Sequence, residues 1–86
     1  GRQCHDWRAA VARNIHGRSL AGLGQFADAE AEILESLDVI AKAVTGGVYH
    51  RMALQRTIEL YDAWQKPEAS ASIRMQLTCV EQGTVC

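Results

Sequence analysis

The sequence predicts an all-α fold, an α-solenoid of two antiparallel helical hairpins with four helices in all. Three observations lead there. Apolar residues recur at steps of three and four along most of the chain, and no period-two alternation survives anywhere. Thirteen alanines against a single proline in 86 residues favour helix. Breaks fall at Gly22 and Gly24, at Gly46-Gly47 and at Pro67, leaving turns of a few residues that force neighbouring helices to run antiparallel.

Each helix has its own justification. Asp6 stands ahead of Trp7-Arg8-Ala9-Ala10 and can accept from the unpaired N–H groups of a first turn. Small or apolar positions follow at Val11, Ile15, Leu20 and Leu23, interrupted by Gly17. Phe26, Ala29, Ile33, Leu37, Ile40 and Val44 form the stripe of the second helix. Its opposite side carries Asp28, Glu32, Glu35 and Asp38, which read as a solvated face or, more sharply, as a dock for a basic partner.

The third helix covers roughly 48–64. Leu54, Ile58 and Tyr61 line one of its faces and Ala53, Leu60 and Trp64 another, so it should be packed on both sides. Pro67 suits the first turn of the fourth helix. Ser70, Ile73, Leu77 and Val80 give that helix one narrow stripe, the mark of an outer layer. Residues 1–81 therefore read as a single domain and 82–86 as a flexible tail. A chain this short buries only ~60% of its surface, so the core is small.

Composition excludes several classes of function. Nine basic and ten acidic residues with no basic tract give no footprint for nucleic acid. No apolar run is long enough for membrane insertion. His5, His16 and His50 are scattered, and neither Cys-x-x-Cys nor His-Glu-x-x-His occurs, so no metal site and no cofactor is expected. Four short helices enclose little volume for a nucleophile and its base, so no catalytic residues are assigned and the chain reads as a non-enzyme.

The two halves repeat. Leu20, Gly24, Phe26 and Ala29 are followed forty-one residues later by Tyr61, Gln65, Pro67 and Ser70, and Leu23 falls on Trp64. A helix–turn–helix unit recurring at this period is the sequence sign of a solenoid. Gly17, Leu20, Gly24, Phe26 and Ala29 sit at the spacing of the tetratricopeptide repeat signature. Gly17 and Ala29 allow two helices to approach closely, Phe26 plugs the hairpin turn and Gly24 permits its backbone. With Gly24-Gln25-Phe26-Ala27-Asp28-Ala29-Glu30 and Lys66-Pro67-Glu68-Ala69, the chain resembles the long-period tetratricopeptide repeats on the tails of bacterial serine/threonine kinases over residues 6–78. Arg13, Gln65 and Ser70 depart from that pattern, and no kinase motif is present.

The resemblance implies a scaffold or protein-interaction module that binds a protein or peptide. Arg13, His16, Arg51 and Arg56 are its candidate concave-face residues, and Trp7 a candidate contact anchor. The alternative is a structural subunit stacking head to tail into an oligomer or filament through apolar terminal faces, with Trp7 and Val11 on one end and Met75 and Cys79 on the other. Cys4 and Cys79 should lie about 20 Å or more apart on opposite outer layers, too far for a direct bridge. Bridges from Cys4 to Cys79 or Cys86 of a neighbouring copy are the candidate disulfides. The compartment follows from them: cytoplasmic if the cysteines are reduced, extracytoplasmic if they are bridged.

Overall fold

The structure, a computed structural model, describes residues 7–44 and 46–83. Four helices account for most of them: α1 (Trp7–Gly22), α2 (Phe26–Ala43), α3 (Val48–Ala63) and α4 (Pro67–Gln82). No strand occurs among the described residues. The helices form a slab of 33 × 32 × 15 Å.

The forty-one-residue step is present in the backbone. α3 begins and ends forty-one residues after α1, and α4 begins forty-one residues after α2. Three hydrogen bonds of the connecting turns repeat at the same step. Leu23 N–H donates to Ser19 O, Gly24 N–H to Ala21 O and Gln25 N–H to Leu20 O. In the second hairpin Trp64 N–H donates to Leu60 O, Gln65 N–H to Asp62 O and Lys66 N–H to Tyr61 O. Each turn needs one left-handed residue. Gly24 supplies φ 81° without steric cost, whereas Gln65 holds φ 61° with a side chain attached.

Gly17 makes the first hairpin tight. A Cβ there would come 2.5 Å from Ile33 Cγ1 and 3.2 Å from Ala29 O, so only a missing side chain permits this approach. Ala29 and Ile33 are fully buried. The seam is extended by Asn14, also fully buried, whose amide donates to Ser36 Oγ across α1 and α2.

α3 is the centre of the molecule. It lies against α1, α2 and α4, while α4 approaches α3 alone. Seven residues of α3 are buried, among them Ala53, Leu54, Ile58, Leu60 and Tyr61, on the two faces that the spacing predicts. α4 buries Ser70 and Ile73, with Leu77 and Val80 half-buried behind them. α1 and α3 run parallel, because their cross-links join Trp7 to Tyr49, Asn14 to Arg56 and Arg18 to Glu59.

Three expectations are corrected. The tail does not begin at 82: Gln82 is helical, and Gly83 closes α4 in the left-handed cap that glycine favours. Trp7 and Val11 do not form a free outer face, since Trp7 packs on the Tyr49 ring at 5.2 Å and Val11 joins the cluster of Ala10, Ile40 and Ala53. The outer side of α4 is not apolar either. Where α2 presents Ile33, Leu37 and Ile40, the same repeat positions of α4 hold Arg74, Thr78 and Glu81, all exposed. Met75 is left as a lone exposed apolar side chain, 70% accessible. Asp6, the expected cap of α1, lies outside the described residues.

Candidate functional site

Parallel packing of α1 on α3 leaves one long face shared by the two helices. Because equivalent positions lie side by side, Trp7, Val11, Ile15, Arg18 and Gly22 on α1 run alongside Val48, Met52, Arg56, Glu59 and Ala63 on α3. The N-terminal half of this face is apolar and open, with Ile15, Val48 and Met52 all exposed. The C-terminal half is charged. Arg18 Nε donates to Glu59 Oε1 at 3.2 Å, a pair exposed on both sides and so weakly held.

Arg56 differs from its neighbour. It is half-buried and donates from one terminal nitrogen to Asn14 Oδ1 at 3.1 Å. Its partner is neutral, and no carboxylate of the described residues pairs with it. Asn14 fixes that geometry, since its own amide is tied to Ser36, whose hydroxyl in turn donates to the Glu32 and Ile33 carbonyls. Between the C-terminal ends of α1 and α3 lies a notch of 180 Å³, lined by Arg18, Ala21, Gly22, Arg56, Glu59, Leu60 and Ala63. A second hollow of 170 Å³ adjoins it, bounded by Met52, Gln55 and the same Arg18, Arg56 and Glu59.

The expected recognition residues do not all meet here. Arg56 lies in the groove. Arg13 instead spans the outside of the α1–α2 seam, its guanidinium forked between Glu32 and Glu35 at 3.0 Å each. The two carboxylates hold it above the ordinary arginine range. This pairing also absorbs half of the acidic face of α2 that could have met a basic partner. His16 and Arg51 are exposed and border neither hollow: each lies one residue from a groove position, Ile15 or Met52, about 100° around its helix, at the places where α3 and α1 carry Thr57 and Ala10. Trp7 sits half-buried at the apolar end, with the Arg8 guanidinium 5.3 Å from its ring centroid. Trp64 belongs to the core side, stacked between Phe26 at 5.7 Å and Tyr61 at 6.4 Å and covered by Lys66.

Sequence reasoning passes over Arg18, Met52, Gln55 and Glu59. One signal could have found them: adding forty-one to Arg18 gives Glu59, a pair of opposite charges on equivalent positions of adjacent helices.

Two further buried polar groups are tied to partners within the fold. Tyr61 donates its hydroxyl to Glu30 Oε2 at 2.8 Å, and burial together with that carboxylate pushes it up to about 12. His50 Nδ1 accepts the Gly46 N–H at 2.9 Å beside the start of α3, and burial pushes its pKa below the ordinary value. Among the described residues no cluster could hold a metal ion, and no helix is long and apolar enough to cross a membrane. Cys79 is disulfide-bonded, while Cys4 and Cys86, the other two cysteines of the chain, lie outside the described residues.

Comparison with protein-family models, with curated proteins and with solved structures finds no match.

Proposed function

We propose that this chain is a non-enzymatic protein-interaction module, a tetratricopeptide-like scaffold whose α1–α3 face receives a peptide. One observation supports this most directly. α3 is packed on three sides, yet the strip it shares with α1 stays open and carries Ile15, Val48 and Met52 beside Arg18 and Arg56. Apolar contact area next to cations, one of them held in place by Asn14, suits capture of a short amphipathic segment. The forty-one-residue repeat of the turns favours the same reading, because stacked hairpins of this kind present their first helices on one concave side.

Head-to-tail stacking of copies has less support. A neighbouring α1 would have to dock on Arg74, Thr78 and Glu81, exposed polar side chains that docking would take out of water.

Random-peptide display against the immobilised chain tests the module reading. Enrichment of a defined motif whose binding is lost on R18E/R56E, with helicity unchanged by circular dichroism, is the expected outcome. Absence of any enriched motif withdraws the reading, and a motif insensitive to the charge reversal moves the binding surface elsewhere.

A further inference from the structure

The α1–α3 notch has a more specific chemistry than an open groove, and its use as a binding pocket rests on the chain being a peptide-binding module. Its position has a simple cause. The last turns of the two parallel helices offer only Ala21 and Gly22 on one side and Ala63 on the other, so the seam closes at the backbone with no side chain to fill it. Leu60 is almost fully buried below. The result is a hollow of 180 Å³ whose lining is mainly apolar. A cavity of ~150 Å³ accommodates a benzene ring, so this hollow matches one leucine- or phenylalanine-sized side chain.

The charges at its edge narrow the choice. Arg18, Arg56 and Glu59 all border the notch. Arg18 and Glu59 satisfy each other. Arg56 does not have that option: it is half-buried, and of its five N–H donors the described residues engage one, through the neutral amide of Asn14. A guanidinium partly withdrawn from water beside an apolar hollow is matched by an anion that arrives with the ligand, most strongly by a planar carboxylate.

We propose that the notch is an anchor pocket for one bulky apolar side chain of a bound peptide, and that Arg56 takes the carboxylate of an acidic residue next to it. The recognised element is thus an apolar–acidic pair, Leu-Glu or Phe-Glu in its simplest form. Arg56 acts as a specificity determinant because Asn14 and Ser36 hold it in place from the core side.

The test is a titration of the isotope-labelled full chain, followed through its backbone amides. The probes are the synthetic peptide acetyl-Ser-Leu-Glu-Ser-amide and two controls, one with Ala for Leu and one with Gln for Glu. Expected are saturable shifts at Gly22, Leu60 and Ala63, with each control at least tenfold weaker. A63L should abolish these shifts by filling the notch from within; Ala63 is exposed at the end of α3, so this variant keeps its fold. R56M should weaken the Leu-Glu peptide to the level of its Gln control, and a melting curve checks that the loss of the Asn14 contact has not unfolded it. Equal binding of all three peptides overturns the proposal, as does retention of binding in A63L. Shifts confined to other surfaces also overturn it while leaving the module reading in place. If display selection itself yields nothing, the module reading fails first.

Discussion

Ala21, Ala29 and Ile33 close the first hairpin; Asp62, Ser70 and Arg74 occupy the same places in the second. In the first, Gly17 recedes so that Ile33 can press against α1. In the second the bulk has changed sides, with Ile58 standing where Gly17 was and Arg74 where Ile33 was. Polar bonds take over from apolar contact there: Ser70 Oγ donates to Asp62 Oδ1 and Arg74 to Asp62 Oδ2, both at 2.6 Å. The turns nevertheless share three equivalent backbone hydrogen bonds. The difference traces to cover. The first hairpin is roofed by α3 and must be apolar on that side, whereas no described helix covers the second, which keeps water-compatible groups. Backbone plan and side-chain filling are therefore separable in this chain.

The contrast between the hairpins is tested most severely at position 33. Ile33→Ala should cost about 2–5 kcal/mol as a buried truncation. Its repeat counterpart Arg74→Ala should cost less than about 1 kcal/mol, since the Arg74–Asp62 pair is solvent-exposed. Paired denaturant titrations check this, and equal losses would contradict the difference in cover. Gly17→Leu comes next. Inserting a side chain where a Cβ already meets Ile33 should overpack the hairpin by about 1–3 kcal/mol. A melting temperature unchanged by this substitution would deny the close approach of α1 and α2.

The turns offer a smaller and opposite effect. Gln65→Gly removes a side chain from a left-handed backbone and should raise stability by up to about 1 kcal/mol. Gly24→Gln should lower it by a similar amount, and thermal melts of both variants show whether the two turns are equivalent in energy as well as geometry. The smallest effect is that of pH on His50. Its folded pKa lies below the ordinary value because burial disfavours the imidazolium. The unfolded chain therefore takes up a proton near ~6.5 that the folded chain refuses. The stability from neutral His50 is complete above that pH and declines as acid takes it toward the folded value. Protonation would also set a proton on Nδ1 against the Gly46 N–H. Urea midpoints between pH 7.5 and 5 should fall more steeply in the parent than in His50→Gln.

Much of the architecture is legible in the sequence. Spacings of three and four place all four helices, and Gly24, Gly46-Gly47 and Pro67 place the breaks to within a residue or two. Gly17 and Ala29 announce a close helix pair because a missing side chain at a helical position has few other uses. The groove is less legible. Arg13, Arg51 and Arg56 look alike in the sequence, and only the direction of each helix face separates the arginine forked by Glu32 and Glu35 from the one that reaches Asn14. The inward packing of Trp7 and Val11 escapes the sequence for a related reason, since an apolar residue on a terminal helix can turn inward as readily as outward. The polar character of α4 is visible in Arg74, Thr78 and Glu81, but it acquires meaning only once each is set beside its apolar partner one repeat earlier.

That α4 leans on α3 alone sets an order for coming apart. A helix packed on one neighbour gains less from burial than a helix packed on three, so noncovalent packing holds α4 less firmly than α3. Its amides should exchange with solvent ahead of those of α3, and a protease would find Arg74 before any site in the middle of the slab. Such an opening is more than fraying. It would strip Leu77 and Val80 from the Ile58 and Tyr61 side of α3 and present a fresh apolar ridge, while α1, α2 and α3 stay joined through Asn14, Ser36 and Arg56. Noncovalent packing thus divides the described residues into a three-helix body and a fourth helix held by one neighbour, to which the disulfide at Cys79 adds a covalent tie.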